Sequence, residues 1–207
     1  MTELEPKSLQ ACLLVNICSF TFDYLVRQKM SGANLNFFIV KQIPVLPPFV
    51  YVPALQKFIL SRVLELTYTS WDLQPFAQDV GYRGNPFIWE EQRRLLMRCE
   101  LDALYFHLYG LNREEANFIL DPADLYGESF PGETFHVFKE KEIAKYGEYL
   151  TKRIILEMYD QMAALPTMHV PAPKDESVTY AVPDVSQWAT WLNPPPADAS
   201  MAHSARK

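Results

Sequence analysis

Prolines divide this sequence into two parts that fold under different constraints. The chain has 207 residues and 16 prolines, and seven of these prolines lie between Pro166 and Pro196. Proline has no amide hydrogen and interrupts a helix. Residues 166–207 are also rich in alanine, serine and aspartate, and they show no periodic apolar stripe. We therefore expect a Pro-rich, disordered tail, in which only the segment around Trp188 is able to dock locally.

Upstream of residue 166, apolar residues recur at spacings of three and four, which is the period of an amphipathic helix. The first stripe, through Leu13 and Ile17, predicts a helix from Ser8 to about Met30. Similar patterns predict further helices at 35–42, 52–66, 69–79, 90–109, 112–120, 135–146 and 148–163. The sequence thus predicts a mainly α fold, with a helical, bundle-like carboxy-terminal segment.

One or two short strands are expected near 38–46, and they have no evident partner in this sequence. A strand is stable only as part of a sheet. We therefore expect the partner strands in chain upstream of this sequence, which makes this segment part of a larger α/β enzyme.

Charge and cysteine content limit the classes of function. The formal net charge is −6, whereas a free-standing nucleic-acid binder is usually basic, because contacts with phosphate supply most of its non-specific affinity. Cys12, Cys18 and Cys99 form no CxxC pair and are expected to be buried free thiols in a reducing compartment. No signal peptide and no membrane-spanning stretch is evident. We expect a cytoplasmic protein without a membrane partner.

Motifs that carry chemistry are missing from the sequence. It contains no GxGxxG or GxxxxGK[ST] loop, no HExxH or paired CxxC, and no GxSxG. The run Asn193-Pro194-Pro195-Pro196 lacks the aromatic residue that follows Asn/Asp-Pro-Pro in amino-methyltransferases. We therefore assign no catalytic, cofactor-binding or metal-binding residue, and a small enzyme of unfamiliar type is disfavoured.

The most suggestive polar cluster surrounds Gly32, between two predicted helices. Arginine and lysine contact phosphates or guanine, and asparagine and glutamine can pair with adenine. A solvated loop is the alternative interpretation. The candidate DNA-binding residues are Arg27, Lys29, Asn34, Asn36, Lys41 and Gln42.

Two further helices carry both acidic and basic side chains. A solvated face with pairs at i,i+4 explains this pattern, and phosphate contact is the alternative. The residues concerned are Arg93, Arg94, Lys139, Lys141 and Lys145.

The segment Leu14–Pro48 contains Gly32-Ala33-Asn34-Leu35-Asn36 and ends in Lys41-Gln42-Ile43-Pro44-Val45-Leu46-Pro47-Pro48. It resembles the end of target-recognition domains in type I specificity subunits and fused type II methylases. Those domains have a Gly-x-x-Leu-Asn turn and a Lys-Gln-Leu-Pro-hydrophobic-x-Pro-Pro exit. At the helix start the likeness is looser, because Ile17 and Cys18 separate Asn16 from Ser19.

The second half is similar to the carboxy-terminal region of large single-chain adenine-specific DNA methyltransferases of restriction–modification and phage-defence systems. Together, the two likenesses cover about Leu9–Met162. It lies in Tyr82–Arg94, Glu100–Glu115, Phe118–Asp124, Gly132–Phe135 and Lys145–Arg153.

The resemblance implies a catalytic domain or subunit upstream, S-adenosylmethionine as cofactor of that parent enzyme, and double-stranded DNA as partner. It divides the chain into the end of a target-recognition domain (1–48), a helical scaffold domain (49–165) and the tail (166–207). A chain of this kind methylates nothing alone. The alternative is a helical protein-interaction module of a defence complex that has no direct DNA contact.

Overall fold

The computed structural model describes residues 7–30, 32 and 34–188, and within them the chain is mainly helical, which confirms the predicted fold class. Short 3-10 turns connect some of the helices. The helices are α1 (Lys7–Cys18), α2 (Phe20–Lys29), α3 (Phe37–Val40), α4 (Pro53–Thr67), α5 (Gln74–Asp79), α6 (Glu91–Leu108), α7 (Arg113–Leu120), α8 (Pro122–Tyr126), α9 (His136–Tyr146) and α10 (Leu150–Ala163).

Helix α6 lies at the centre of the structure. It packs against α10 and α4, and α4 also packs against α1, so residues on both sides of position 48 contribute to one core. The functional division at that position stays a prediction. The buried apolar residues of this core include Leu55, Ile59, Leu104, Tyr105, Phe106, Leu120, Ile155, Met162, Val182 and Val185.

The helix predicted from Ser8 to Met30 is two helices, bent by 55° at Ser19. The Ser19 hydroxyl donates to the Asn16 carbonyl (2.8 Å) and accepts from the Phe22 amide (3.3 Å), so it competes with the helical backbone and caps α2. The next amide, of Phe20, donates to the Asp102 carboxylate at 2.8 Å. The break is therefore fixed by a residue on α6.

The strands lie at the other end of the chain from where they were expected. Residues 37–40 form α3, capped by the Asn36 side chain, which accepts from the Ile39 amide at 3.0 Å. Strands β1 (Thr167–Ala172) and β2 (Asp175–Pro183) form an antiparallel hairpin, in which Val170 faces Tyr180. The prediction of strands near 38–46 is wrong, and with it goes the argument that their partners lie upstream.

The expected disorder of residues 166–207 is also wrong for the hairpin. Its prolines occupy positions that a strand tolerates: Pro171 precedes an irregularity in the pairing, Pro173 lies in the turn, and Pro183 ends β2. Strand β2 packs on α6, and the 3-10 turn Val185–Gln187 packs on α4. Residues 189–207, with the Asn193–Pro196 run, lie outside the described residues.

Two buried ion pairs join α4 to α6. Arg62 donates to Glu100 at 3.0 Å, and Arg93 pairs with Glu65. The Trp188 indole donates to the other oxygen of Glu100 at 2.7 Å, so Trp188 docks on the core as predicted. These contacts fix the relative position of two helices and of the chain that follows the hairpin.

Two of the three cysteines are buried free thiols, as expected. Cys12 and Cys99 are buried, whereas Cys18, at the end of α1, is exposed. Burial raises the pKa of Cys12 to about 12, and the same effect with nearby Asp102 raises the pKa of Cys18. The thiols are therefore held in their neutral form at pH 7.

Candidate functional site

The six candidate DNA-binding residues all lie in one stretch of the chain that includes the end of α2 and all of α3. We call residues 27–42, from the end of α2 through α3, the α2–α3 tip. A small apolar cluster of Phe22, Val26 and Ile43 holds it together, separate from the main core. All six side chains are exposed there. The structure thus exposes all six predicted residues within this short stretch of the chain.

Hydrogen bonds centred on the buried Asn16 side chain anchor the base of the tip. The side-chain oxygen of Asn16 accepts a hydrogen bond from the Leu46 amide at 3.0 Å. The side-chain nitrogen of Asn16 donates to the Tyr109 hydroxyl at 2.7 Å. That hydroxyl donates in turn to the Pro44 carbonyl at 2.9 Å. Asn16 therefore joins α1 to the segment that leaves the tip and to the end of α6.

Arg27 and Asn36 have structural contacts of their own. Arg27 pairs with Asp23 at 2.9 Å, one turn earlier on α2, and its guanidinium lies 5.6 Å from the centre of the Phe135 ring. Asn36 caps α3. Either residue would have to share or exchange these contacts to bind a ligand.

The remaining four candidates are less committed. The Lys41 ammonium lies 4.6 Å from the centre of the Phe37 ring, and the Gln42 amide donates to the Phe38 carbonyl at 3.4 Å. In the described part of the chain, neither Lys29 nor Asn34 makes a side-chain hydrogen bond or ion pair. These four side chains are the ones best placed to meet a ligand.

Two aromatic residues on the tip were missed by the sequence interpretation. Phe37 is 72% exposed and Phe38 is 74% exposed, which is the largest exposure among the large hydrophobic residues of the described chain. The sequence signal that could have identified them is the presence of two adjacent phenylalanines within a cluster of basic and amide residues. Cations beside exposed rings can contact phosphates while the rings stack on bases.

The basic residues on the longer helices have divided roles. Arg93 is buried in its pair with Glu65, and the Lys139 ammonium contacts Asp121 (2.7 Å) and Glu133 (2.8 Å). These two are structural, which corrects the phosphate-contact interpretation for them. Arg94 lies 3.5 Å from the Trp89 ring centre, and the other two are exposed; these are Lys141 and Lys145.

The titratable groups near the core of the described chain have packing and hydrogen-bonding roles. His107 stacks on Tyr159, with ring centres 3.9 Å apart, and burial lowers its pKa. Burial raises the pKa of Asp102 to about 7, although the hydrogen bond that its carboxylate accepts from the Phe20 amide acts to lower that pKa. Among the described residues, no group of three or more His, Cys, Asp or Glu side chains could hold a metal ion.

Comparisons with protein-family models, with curated proteins and with solved structures give no match for this chain. The likeness to adenine-specific methyltransferases therefore depends on the sequence segments quoted above. Within the described residues, no single helix has the length and apolar character to cross a membrane, and α1 and α2 reach that length only as a bent pair.

Proposed function

We propose that this chain is the DNA target-recognition and scaffolding portion of an adenine-specific, S-adenosylmethionine-dependent DNA methyltransferase of a restriction–modification or phage-defence system. The observation that carries the proposal is the α2–α3 tip, where Phe37 and Phe38 are exposed and the Lys41 ammonium lies 4.6 Å from the centre of the Phe37 ring. The sequence likeness to target-recognition domains falls on the same residues.

In this proposal the tip meets double-stranded DNA. Lys29, Lys41 and Arg27 contact phosphates, and the amide side chains reach base edges. The two phenylalanines insert beside the bases, as apolar wedges do in proteins that open a groove. The α4–α6–α10 core holds the tip in position, because α2 is anchored to α6 through Asp102.

The acidic net charge fits such a division of labour. The basic side chains of the tip need to supply only a local share of the phosphate contacts, and the catalytic domain or subunit supplies the others. That partner would also bind S-adenosylmethionine and the flipped adenine. No residue of this chain is assigned to either task.

Salt-dependent binding of a fluorescein-labelled DNA duplex tests the tip directly. The double variant Lys29→Ala/Lys41→Ala should reduce the slope of log affinity against log salt by about 1.8, since each phosphate contact contributes about 0.9. The matched control is Lys57→Ala/Lys174→Ala, which removes the same charge from exposed sites elsewhere. The control should leave the slope unchanged.

The aromatic residues need a separate variant. Phe37→Ala/Phe38→Ala should weaken DNA binding at least tenfold, because an aromatic side chain stacked on a base contributes about 1–3 kcal/mol. If the tip variants and the control bind DNA equally, the tip is not a DNA interface. That result would favour a helical interaction module of a defence complex.

The methyltransferase part of the proposal has its own test. Co-expression with an adenine methyltransferase encoded beside this chain should give sequence-specific methylation only when both chains are present. Methylation at the same sites by the neighbouring enzyme alone would remove the target-recognition role.

A further inference from the structure

One side of helix α6 is left open by its neighbours and forms a groove. Glu91, Leu95, Arg98 and Asp102 follow one another along this side at helical spacing. Three adjoining cavities, with volumes of about 490, 250 and 300 Å³, all include Arg98 in their walls. We call this surface the α6 groove. It is about 17 Å long, or three helical turns, at 1.5 Å per residue.

The groove has an apolar floor. Helices α9 and α10 line one side of it, and α1 and α4 line the other. Several large apolar side chains there remain more than one-third exposed in the structure. Exposed apolar area that is continuous with a cleft is typical of a binding surface. The apolar lining includes Leu14, Leu66, Leu95, Leu96, Phe138 and Tyr146.

The charged side chains of the groove divide by sign. Its acids are largely used within the protein: Glu142 is buried and accepts from the Thr151 amide (2.8 Å) and hydroxyl (2.6 Å). Asp102 accepts from the Phe20 amide. Glu91 is exposed, and Asp23, which also lines the groove, pairs with Arg27 at 2.9 Å.

The basic side chains of the groove differ from its acids in this respect. Arg98, Lys141 and Lys145 are exposed around the groove, and none of them has an ion-pair partner within the described residues. Arg94, half-buried, adds a fourth cation. The exposed charges of the groove that lack an ion-pair partner among the described residues are therefore mainly basic, on a chain whose net charge is −6.

We infer that the α6 groove binds an acidic amphipathic helix of a partner protein. The apolar side of that helix would lie on the leucines and Phe138, while its carboxylates would meet Arg98, Lys141 and Lys145. The i, i+3, i+4, i+7 anchors of such a helix span about two turns, which the part of the groove from Glu91 to Arg98 accommodates before α2 contacts Asp102.

The chain's own carboxy-terminal residues are a poorer match. Trp188 contacts Glu100, which is two residues from Arg98 and therefore on the opposite side of α6. Residues 189–207 contain one acid, Asp198, together with Arg206 and Lys207. Charge and position thus both favour a partner over this segment.

Fluorescence anisotropy with synthetic helices tests the inference on the full chain. The probe is an amphipathic peptide of about four turns with leucines at helical spacing and glutamates elsewhere. A second peptide has lysine in place of each glutamate. The acidic peptide should bind at least tenfold more tightly than the basic one. Equal binding of the two peptides would overturn the inference.

Charge reversal locates the binding surface. Arg98→Glu/Lys145→Glu should weaken binding of the acidic peptide at least tenfold, whereas the matched control Lys57→Glu/Lys174→Glu should leave it unchanged. Both pairs are exposed, and thermal unfolding verifies that the variants fold. An unchanged affinity in the groove variant would place the peptide elsewhere and end the proposal.

Other occupants give distinct results. Deleting residues 189–207 should not change peptide affinity; a tenfold gain would show that this segment occupies the groove. Self-association abolished by the groove variant would identify a second copy. Displacement of the peptide by duplex DNA would identify nucleic acid. Lys29→Ala/Lys41→Ala should leave peptide binding intact. Failure of the groove proposal can therefore be distinguished from failure of the proposed DNA contact at the tip.

Discussion

Two arginine–carboxylate pairs in this molecule have nearly the same geometry and opposite surroundings. Arg62 and Glu100 are 3.0 Å apart in the core, with 2% and 1% of their side chains exposed. Arg27 and Asp23 are 2.9 Å apart on α2, with 54% and 42% exposed. The distance between the charges does not distinguish the pairs; the solvent around them does.

Solvent determines what each pair is able to do. Water screens the Arg27 pair, so its contribution to stability is small and either member can be exchanged for a ligand. Removing one member of the Arg62 pair leaves a charge in the interior, where water does not replace the lost counter-charge. The core pair therefore fixes structure, while the exposed pair leaves its arginine available for binding.

The largest expected effect comes from breaking the core pair. Glu100→Gln should lower the free energy of unfolding by about 3–5 kcal/mol, because it leaves the Arg62 guanidinium buried without its counter-charge. Urea denaturation measures the change. A loss below about 1 kcal/mol would contradict the assigned difference between the two pairs, since that is the range of exposed pairs.

Asp102 lies on α6 and accepts a hydrogen bond from the first residue of α2, and its titration should make the stability of the protein depend on pH. Its folded pKa of about 7 lies above the ordinary 3.8, so the folded state holds a proton that the unfolded chain releases between about pH 4 and 7. Stability contributed by this group is present below pH 4 and declines as pH rises towards 7, by up to about 1.4 kcal/mol per pH unit.

The difference in unfolding free energy between the native chain and Asp102→Asn isolates this effect from other titrating groups. It should shift in favour of the variant as pH rises through the window. A difference that does not vary between pH 4 and 7 would show that the carboxyl is not held neutral by the fold.

A smaller loss is expected at the tryptophan that completes the core pair. Trp188→Phe removes the indole hydrogen bond to Glu100 and should lower the free energy of unfolding by about 1.5–3 kcal/mol, the range for a hydrogen bond to a charged group. In Glu100→Gln the same substitution should cost less, because its charged acceptor has gone. A double-mutant cycle measures that coupling, and a coupling of zero would separate Trp188 from the pair.

The smallest change in stability is expected from breaking the exposed pair on α2. Asp23→Asn should alter the free energy of unfolding by less than about 0.5 kcal/mol. Under the proposed function it should also tighten DNA binding, because Arg27 loses a competing carboxylate. Anisotropy at low salt measures this; weaker binding in the variant would indicate that Asp23 positions Arg27 instead.

Sequence predicted the features that depend on neighbouring residues. The capping box is an example: the Asn112 side chain accepts from the Glu115 amide, and Glu115 reaches back to the Asn112 amide, as the four-residue pattern indicates. Helix α4 begins at a proline in its first turn for the same local reason.

Features that depend on distant residues were not predicted. The break at Ser19 is stabilised by Asp102, which is 82 positions from Phe20. The hairpin is held by burial of Val182 and Val185 on helices formed much earlier in the chain. No pattern within residues 166–188 reveals that surface, so their composition indicated open chain.

The candidate site was predicted in part. Six polar residues were placed on the tip because their types suit DNA, and all six are exposed. Exposure of Phe37 and Phe38 depends on the tertiary packing of α3, which buries none of its residues, and a periodic pattern does not give that packing. For the same reason Arg93 was grouped with surface cations although its charge is buried against Glu65.

The return of the hairpin to α6 has a consequence for synthesis of the chain on the ribosome. Trp188 is made 88 positions after Glu100, and Val182 and Val185 are made only shortly before Trp188. The helices up to α10 therefore keep part of their apolar surface uncovered until the segment from Val182 to Trp188 has been made. A nascent chain stalled near residue 165 would present that surface to chaperones and proteases.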